Sequence, residues 1–199
     1  MLRIKLLTTF TLCLLSLALT GSFARADWTL DQENSQLSYA SIKKGSIGEN
    51  NHFQKLDGRI TDAGEITLLI DLASVETWVD IRNARMKEFF FKTLDFPVAT
   101  LRGQIDMAKF NDLKVGSQQA FDLSFDFDLH GQSQTIDAEL VIMRLSEKTV
   151  VVIPGEFIFL DVKQFNLLAG LKKLQELAKL PSISSVVPIV FHLTFTQVP

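Results

Sequence analysis

The sequence predicts an all-β protein: an antiparallel sheet of about eight strands closed into a barrel, with one or two short capping helices. Three observations carry that prediction. Apolar and polar residues alternate with period two through most of the chain after Trp28, which marks strands with one dry and one wet face. No regular succession of strands and helices occurs, so βαβ units and nucleotide folds are excluded. About eight strands leave sheet edges that must be covered, and closing the sheet on itself does this most economically.

The chain has 199 residues, 47% of them hydrophobic and 22% charged. That suits one domain with a sizeable core and is unlike disordered or low-complexity sequence. Residues 1–26 read as a signal peptide. Met1-Leu2-Arg3-Ile4-Lys5 is a basic start, Leu6 to Thr20 carries no charge, and Ala24-Arg25-Ala26 is a small-x-small cleavage pattern. The uncharged stretch would reach only about 22 Å as a helix, short of a bilayer core of about 30 Å. Cleavage after Ala26 would leave residues 27–199 as a single domain, exported to the periplasm and without an integral membrane span. Arg3, Lys5, Arg25 and the only cysteine, Cys13, would leave with the leader. The remainder holds 17 basic and 23 acidic residues, net −6. A chain of that charge has no electrostatic footprint for nucleic acid. Without cysteine it holds together by core and ladder alone.

In chain order, strands are expected near Gln36–Lys43 and His52–Ile60. Ile66, Leu68, Ile70 and Leu72 alternate with Glu65, Thr67 and Asp71, and Leu101, Gly103, Ile105 and Met107 with Thr100, Arg102, Gln104 and Asp106. The cleanest run sets Phe121, Leu123, Phe125, Phe127 and Leu129 against Asp122, Ser124, Asp126 and Asp128. His130-Gly131-Gln132 turns the chain, and Ala138, Leu140 and Ile142 carry the apolar face back. Thr149–Ile153 and Glu156–Leu160 are strands separated by Pro154-Gly155. Val187, Ile189, Phe191, Leu193 and Phe195 form the last apolar face. Two segments are helical: Asp80–Lys92, loosely, and Leu167–Lys179, whose Leu167, Leu171, Leu174 and Ala178 share a stripe that Pro181 terminates. The pair would cap the ends of the barrel.

Catalytic and metal chemistry find little purchase. His52, His130 and His192 lack metal-ligand spacing and read as solvated strand and turn residues. Alternate aspartates on one strand, such as Asp126 and Asp128, lie about 7 Å apart, whereas calcium needs six to eight convergent oxygens. There is no nucleophile elbow, His-Glu-x-x-His or phosphate loop. No catalytic residue, metal ligand or cofactor is assigned, and the protein is expected not to be an enzyme.

The apolar inventory is the unusual feature. Residues 27–199 include fourteen phenylalanines but only Trp28, Trp78 and Tyr39 as other aromatics. An eight-stranded barrel interior is either just filled by side chains or able to hold one small ligand. The sequence leaves the filled and the open barrel as alternatives. A third option, an outer-membrane barrel, is disfavoured by the scarcity of Tyr and Trp for interfacial girdles.

Several motifs carry a resemblance. Trp28-x-Leu30-Asp31 and Ser35-Gln36-Leu37-Ser38-Tyr39 open the domain. Ile70-Asp71-Leu72-Ala73-Ser74-Val75-Glu76-Thr77 is followed by Ile81-Arg82-Asn83-x-Arg85-Met86, Phe89-Phe90 and Phe96-Pro97-x-Ala99-Thr100, and later by Leu129-His130-Gly131. Together they resemble the YceI-like family of exported, lipocalin-like bacterial proteins. The match departs at Asn34, where the family often has histidine, and at Phe91-Lys92, where an acidic residue usually follows the Phe pair. The resemblance implies a lipocalin-like barrel that binds an isoprenoid-type lipid, a quinone or polyprenyl chain, in an apolar cavity. The cavity candidates are Leu68, Ile70, Phe89, Phe90, Leu101, Ile105, Phe121, Leu123, Phe125, Phe127, Leu140, Phe191 and Leu193. Arg82 and Arg85 are candidates for a headgroup at the mouth. The partner expected is an isoprenoid or other apolar lipid. A homodimer is left open, and a filled barrel acting as a stress or partner-binding module is the alternative function.

Overall fold

A computed structural model describes residues 27–197, so the leader prediction and Cys13 lie outside the described residues. The elements in order are β1 (Trp28–Leu30), β2 (Gln36–Lys43), β3 (Ile47–Phe53), β4 (Leu56–Ile60), β5 (Glu65–Asp71), β6 (Val75–Glu76), α1 (Asp80–Arg85), β7 (Val98–Gln104), α2 (Met107–Asp112), β8 (Gln118–Leu129), β9 (Gln132–Ser146), β10 (Thr149–Pro154), β11 (Ile158–Asp161), α3 (Leu168–Leu177) and β12 (Val186–Gln197). A π-type turn, Met86–Phe91, continues α1.

These strands build eight staves. β1 runs on into β2, β3 into β4, β5 into β6 and β10 into β11, while β7, β8, β9 and β12 are unbroken. Each stave pairs antiparallel with the next in sequence. β12 pairs with β10 and β11 along one side and with β1 and β2 along the other, which closes the barrel and leaves no free edge.

Aspartates set two of these interruptions and the exit from β11. Asp31, Asp71 and Asp161 each accept backbone N–H groups of a short 3-10 turn that follows a strand. His130 and Gly131, both at positive φ, make the two-residue turn between β8 and β9. On β8 the apolar residues Phe121, Phe125, Phe127 and Leu129 are buried, whereas Asp122, Ser124 and Asp126 are exposed. The inner wall is hydrocarbon and the outer wall of this stave is acidic, the reverse of a membrane barrel. Gly103 on β7 permits the Phe125 ring to lie on the backbone of the neighbouring stave. A Cβ there would come within 2.5 Å of it.

The helices depart from expectation. α1 and α3 do not cap opposite ends; both lie in connections at one end and pack on each other through the π-type turn. Gly170 of α3 sits so close that a Cβ would meet the Phe89 carbonyl oxygen at 2.5 Å. The other end is plugged by α2, which takes Met107 out of the expected strand. Asp106 caps α2 by accepting from Ala108 and Lys109. The plug packs the Phe110 ring edge-on against Trp28, 5.3 Å between centroids, with Arg144 over the Trp28 ring. Phe110 is fully buried. Phe110→Ala is expected to cost about 3–5 kcal/mol, seen as a clear drop in thermal midpoint; a loss below about 1 kcal/mol would contradict the plug.

Candidate functional site: the barrel cavity

The barrel is not filled. A cavity of about 200 Å³ runs through its interior. Among the residues lining it, only Tyr39, Ser41 and Ser184 carry a polar side-chain atom. Hydrocarbon-lined cavities of about 150 Å³ stay dry and accept apolar guests.

The period-two pattern explains the lining. On β5, β7 and β8 the inward residues Leu68, Ile70, Leu101, Leu123, Phe125 and Phe127 reach the cavity, as do Ile105 just after β7, Leu140 on β9, and Phe191 and Leu193 on β12. Phe90 reaches it from the π-type turn. Phe121 points inward and is buried, but lies outside the lining, next to the plugged end. Phe89 also lies outside the lining: it is half-buried, and its backbone meets α3. Several lining residues escaped strand alternation, namely Met86, Phe91, Phe165, Leu167, Leu171 and Ile183. They form the helical roof. The stripe of α3 already contained Leu167 and Leu171; Phe165 and Ile183 sit in irregular segments with no period to reveal them.

Neither Arg82 nor Arg85 lines the cavity. Arg82 pairs with Glu49 of β3 and donates to the Thr77 carbonyl. Arg85 donates to the Leu177 carbonyl at the end of α3, 3.4 Å away. The two guanidiniums strap α1 to the wall and to α3. Asn83 reinforces the strap by accepting from the Thr77 N–H and hydroxyl.

Polar groups gather at this roofed end. Lys43 donates to Glu49 at 2.6 Å. The Asn51 amide donates to the Ser41 hydroxyl oxygen at 3.3 Å. The Tyr39 hydroxyl, Asn51 Oδ1 and Arg82 Nε are buried without a hydrogen-bond partner. Burial pushes the Tyr39 phenol well above its ordinary value, with the Arg82 charge pulling weakly the other way. The phenol is therefore a neutral donor at any ordinary pH.

Glu49 joins β3 to α1. Its carboxyl is held below the ordinary value of 4.5, first by the Lys43 hydrogen bond against the opposing effect of burial, and further by the Arg82 charge. A depressed carboxyl contributes stability that is complete above its unfolded value and lost as pH falls through the folded one. The pair is partly exposed, so its worth is at most about 1 kcal/mol. Hydrogen-exchange protection in the Asp80–Phe91 segment, taken relative to the intrinsic rate at each pH, is expected to fall as pH drops below about 4.5. Glu49→Gln should lower that protection at neutral pH and flatten its pH dependence; an unchanged protection profile in the variant would contradict the strap.

His130 is not the solvated turn residue its position suggested. Its ring packs on Phe96 at 4.3 Å, and burial foremost, with Lys92 adding to it, lowers its pKa. It lies at the β8–β9 turn and has no part in the cavity lining.

A closed antiparallel barrel enclosing a hydrocarbon-lined cavity has room for an apolar molecule. The YceI-like domain model matches residues 28–195, and the chain belongs to the YceI-like family. The chain is similar to a solved polyisoprenoid-binding domain from Saccharophagus degradans implicated in plant cell wall breakdown. Identity is 37%, covering 87% of this chain and 99% of that one, with a TM-score of 0.85. Burkholderia cenocepacia BcnA shares the fold at 17% identity, TM-score 0.65, over 83% of this chain and 98% of that one. A mutant CJ YCEI protein made for nanotechnology applications shares it at 12% identity and TM-score 0.55, over 75% and 85%. No curated protein sequence matches the chain.

Proposed function

We propose that this protein binds an isoprenoid-type lipid in its barrel cavity and carries or stores it in the periplasm, without catalysing a reaction on it. The observation that carries the reading is the open cavity of about 200 Å³, with hydrocarbon along its walls and three polar residues among those lining it. The polyisoprenoid-binding relative at 37% identity supports the ligand class, and the leader read in residues 1–26 supports export. Each buried methylene gains about 0.8 kcal/mol, offset by the cost of ordering the chain.

The polar residues orient the guest. Tyr39, Ser41 and Ser184 would face its head, while the tail lies along Phe125 and Leu123. Lys43 and Arg82 at that end are already engaged by Glu49. A neutral, hydrogen-bonding head of the quinone or alcohol kind therefore fits better than a diphosphate. Delipidated protein titrated with a prenyl quinone and a prenyl diphosphate of equal tail length tests this. The quinone should bind at least tenfold more tightly. Equal or reversed affinity contradicts the head assignment, and failure of both to bind contradicts the function.

A further inference from the structure

The two ends of the barrel differ sharply in charge and in exposed hydrocarbon. Four connections form the roofed end: residues 44–46, 77–97, 130–131 and 162–185. They hold nine Lys and Arg against four Asp and Glu, net +5, while the other residues of 27–199 hold eight against nineteen, net −11. The connections at the plugged end, 61–64, 105–117 and 147–148, hold three against four. On the connections, large exposed apolar side chains follow the same division, while Leu145, Phe157 and Phe159 are exposed on the strands and staves of the wall. Trp78 (76% exposed), Val79, Ile81 and Leu94 (100%) stand on the roofed connections, against Val115 on the plugged ones, where Leu145 at the end of β9 is its exposed neighbour.

Trp78 is the telling residue. Its φ is +62°, a left-handed conformation that a bulky side chain rarely adopts. Its N–H is fixed by the Glu76 carboxylate, and its ring leans on His52 at 5.3 Å. The backbone thus holds an indole in solvent at an unfavourable torsion, with Lys87 and Lys92 on the same connection. Exposed aromatic and aliphatic side chains among cations match the interfacial zone of an anionic bilayer, where hydrocarbon enters the headgroup layer and lysines meet lipid phosphates. The acidic outer wall would be repelled by the same surface, which fixes the orientation.

We infer that the roofed end, through Trp78, Ile81 and Leu94 and the surrounding lysines, is a docking face for an anionic phospholipid surface. Resting on the lipid-binding reading above, this makes docking the step that brings the cavity to the membrane where an apolar cargo resides. The occupant is the bilayer, not a second copy of the chain.

Sedimentation with vesicles of phosphatidylglycerol and phosphatidylcholine, compared with phosphatidylcholine alone, tests the inference. Binding is expected on the anionic vesicles only, with a blue shift of tryptophan emission that belongs to Trp78, because Trp28 is buried. Raising salt to about 0.5 M should weaken it by about tenfold or more. Trp78→Asn with Leu94→Ser should lower vesicle binding at least tenfold while leaving prenyl quinone affinity in solution unchanged. Asparagine accepts the left-handed backbone, so the fold is kept. Binding to neither vesicle, binding unaffected by the double variant, or sedimentation equilibrium showing a dimer that the double variant turns into a monomer would each overturn docking. Quinone affinity without vesicle binding overturns docking alone; vesicle binding without quinone affinity overturns the lipid-carrier reading alone.

Discussion

Phe125→Asp is expected to leave most of the protein unfolded at room temperature. Phe125 is buried on β8, lies on the Gly103 backbone and lines the cavity. Truncating a buried phenylalanine costs about 3–5 kcal/mol. An uncompensated carboxylate in the same hydrocarbon adds several more. Set against a total stability of about 5–15 kcal/mol, that loss removes the native state. Asp126→Ser, one residue along, should change stability by no more than about 0.5 kcal/mol. Asp126 is exposed and accepts from the Thr135 hydroxyl, at 3.3 Å. Circular-dichroism melts of the two variants compare the two faces of one strand. A stable Phe125→Asp beside an unfolded Asp126→Ser would show the strand turned inside out.

Ala138→Trp is expected to separate folding from binding. Ala138 lies on β9 directly opposite Leu123 of β8, and both line the cavity. An indole there grows into space that is already open, so stability should change by less than about 1.5 kcal/mol. The same indole takes the place of the lipid chain, and prenyl quinone affinity should fall at least a hundredfold. Full affinity in the variant would mean that the guest is held elsewhere. A collapse of the fold would mean that Ala138 faces packed side chains and not a void.

The staves were legible because each has one dry and one wet face, a pattern that survives in sequence without knowledge of neighbours. Leu68, Ile70, Phe125 and Phe127 were placed inward on that basis, and all four line the cavity. Whether the interior was open was not legible. The same residues fill or line a barrel according to strand tilt and the roof above, and neither leaves a local pattern. The plug was missed because Met107 continued an alternation begun by Leu101, although Asp106 before Met107-Ala108 is a helix-capping signal. The two arginines were misleading for a different reason. A guanidinium between strands and a mouth can serve a ligand or a carboxylate equally well, and here Glu49, distant in sequence, claims Arg82.

The most direct measurement of the lipid-tunnel reading is organic extraction, followed by mass spectrometry, of protein purified from the organism that makes it. Wild-type protein should release an isoprenoid lipid in near-stoichiometric amount, and the Ala138→Trp variant prepared alongside should release little. Wild-type protein that yields no isoprenoid, or a variant that yields as much as wild type, would contradict it.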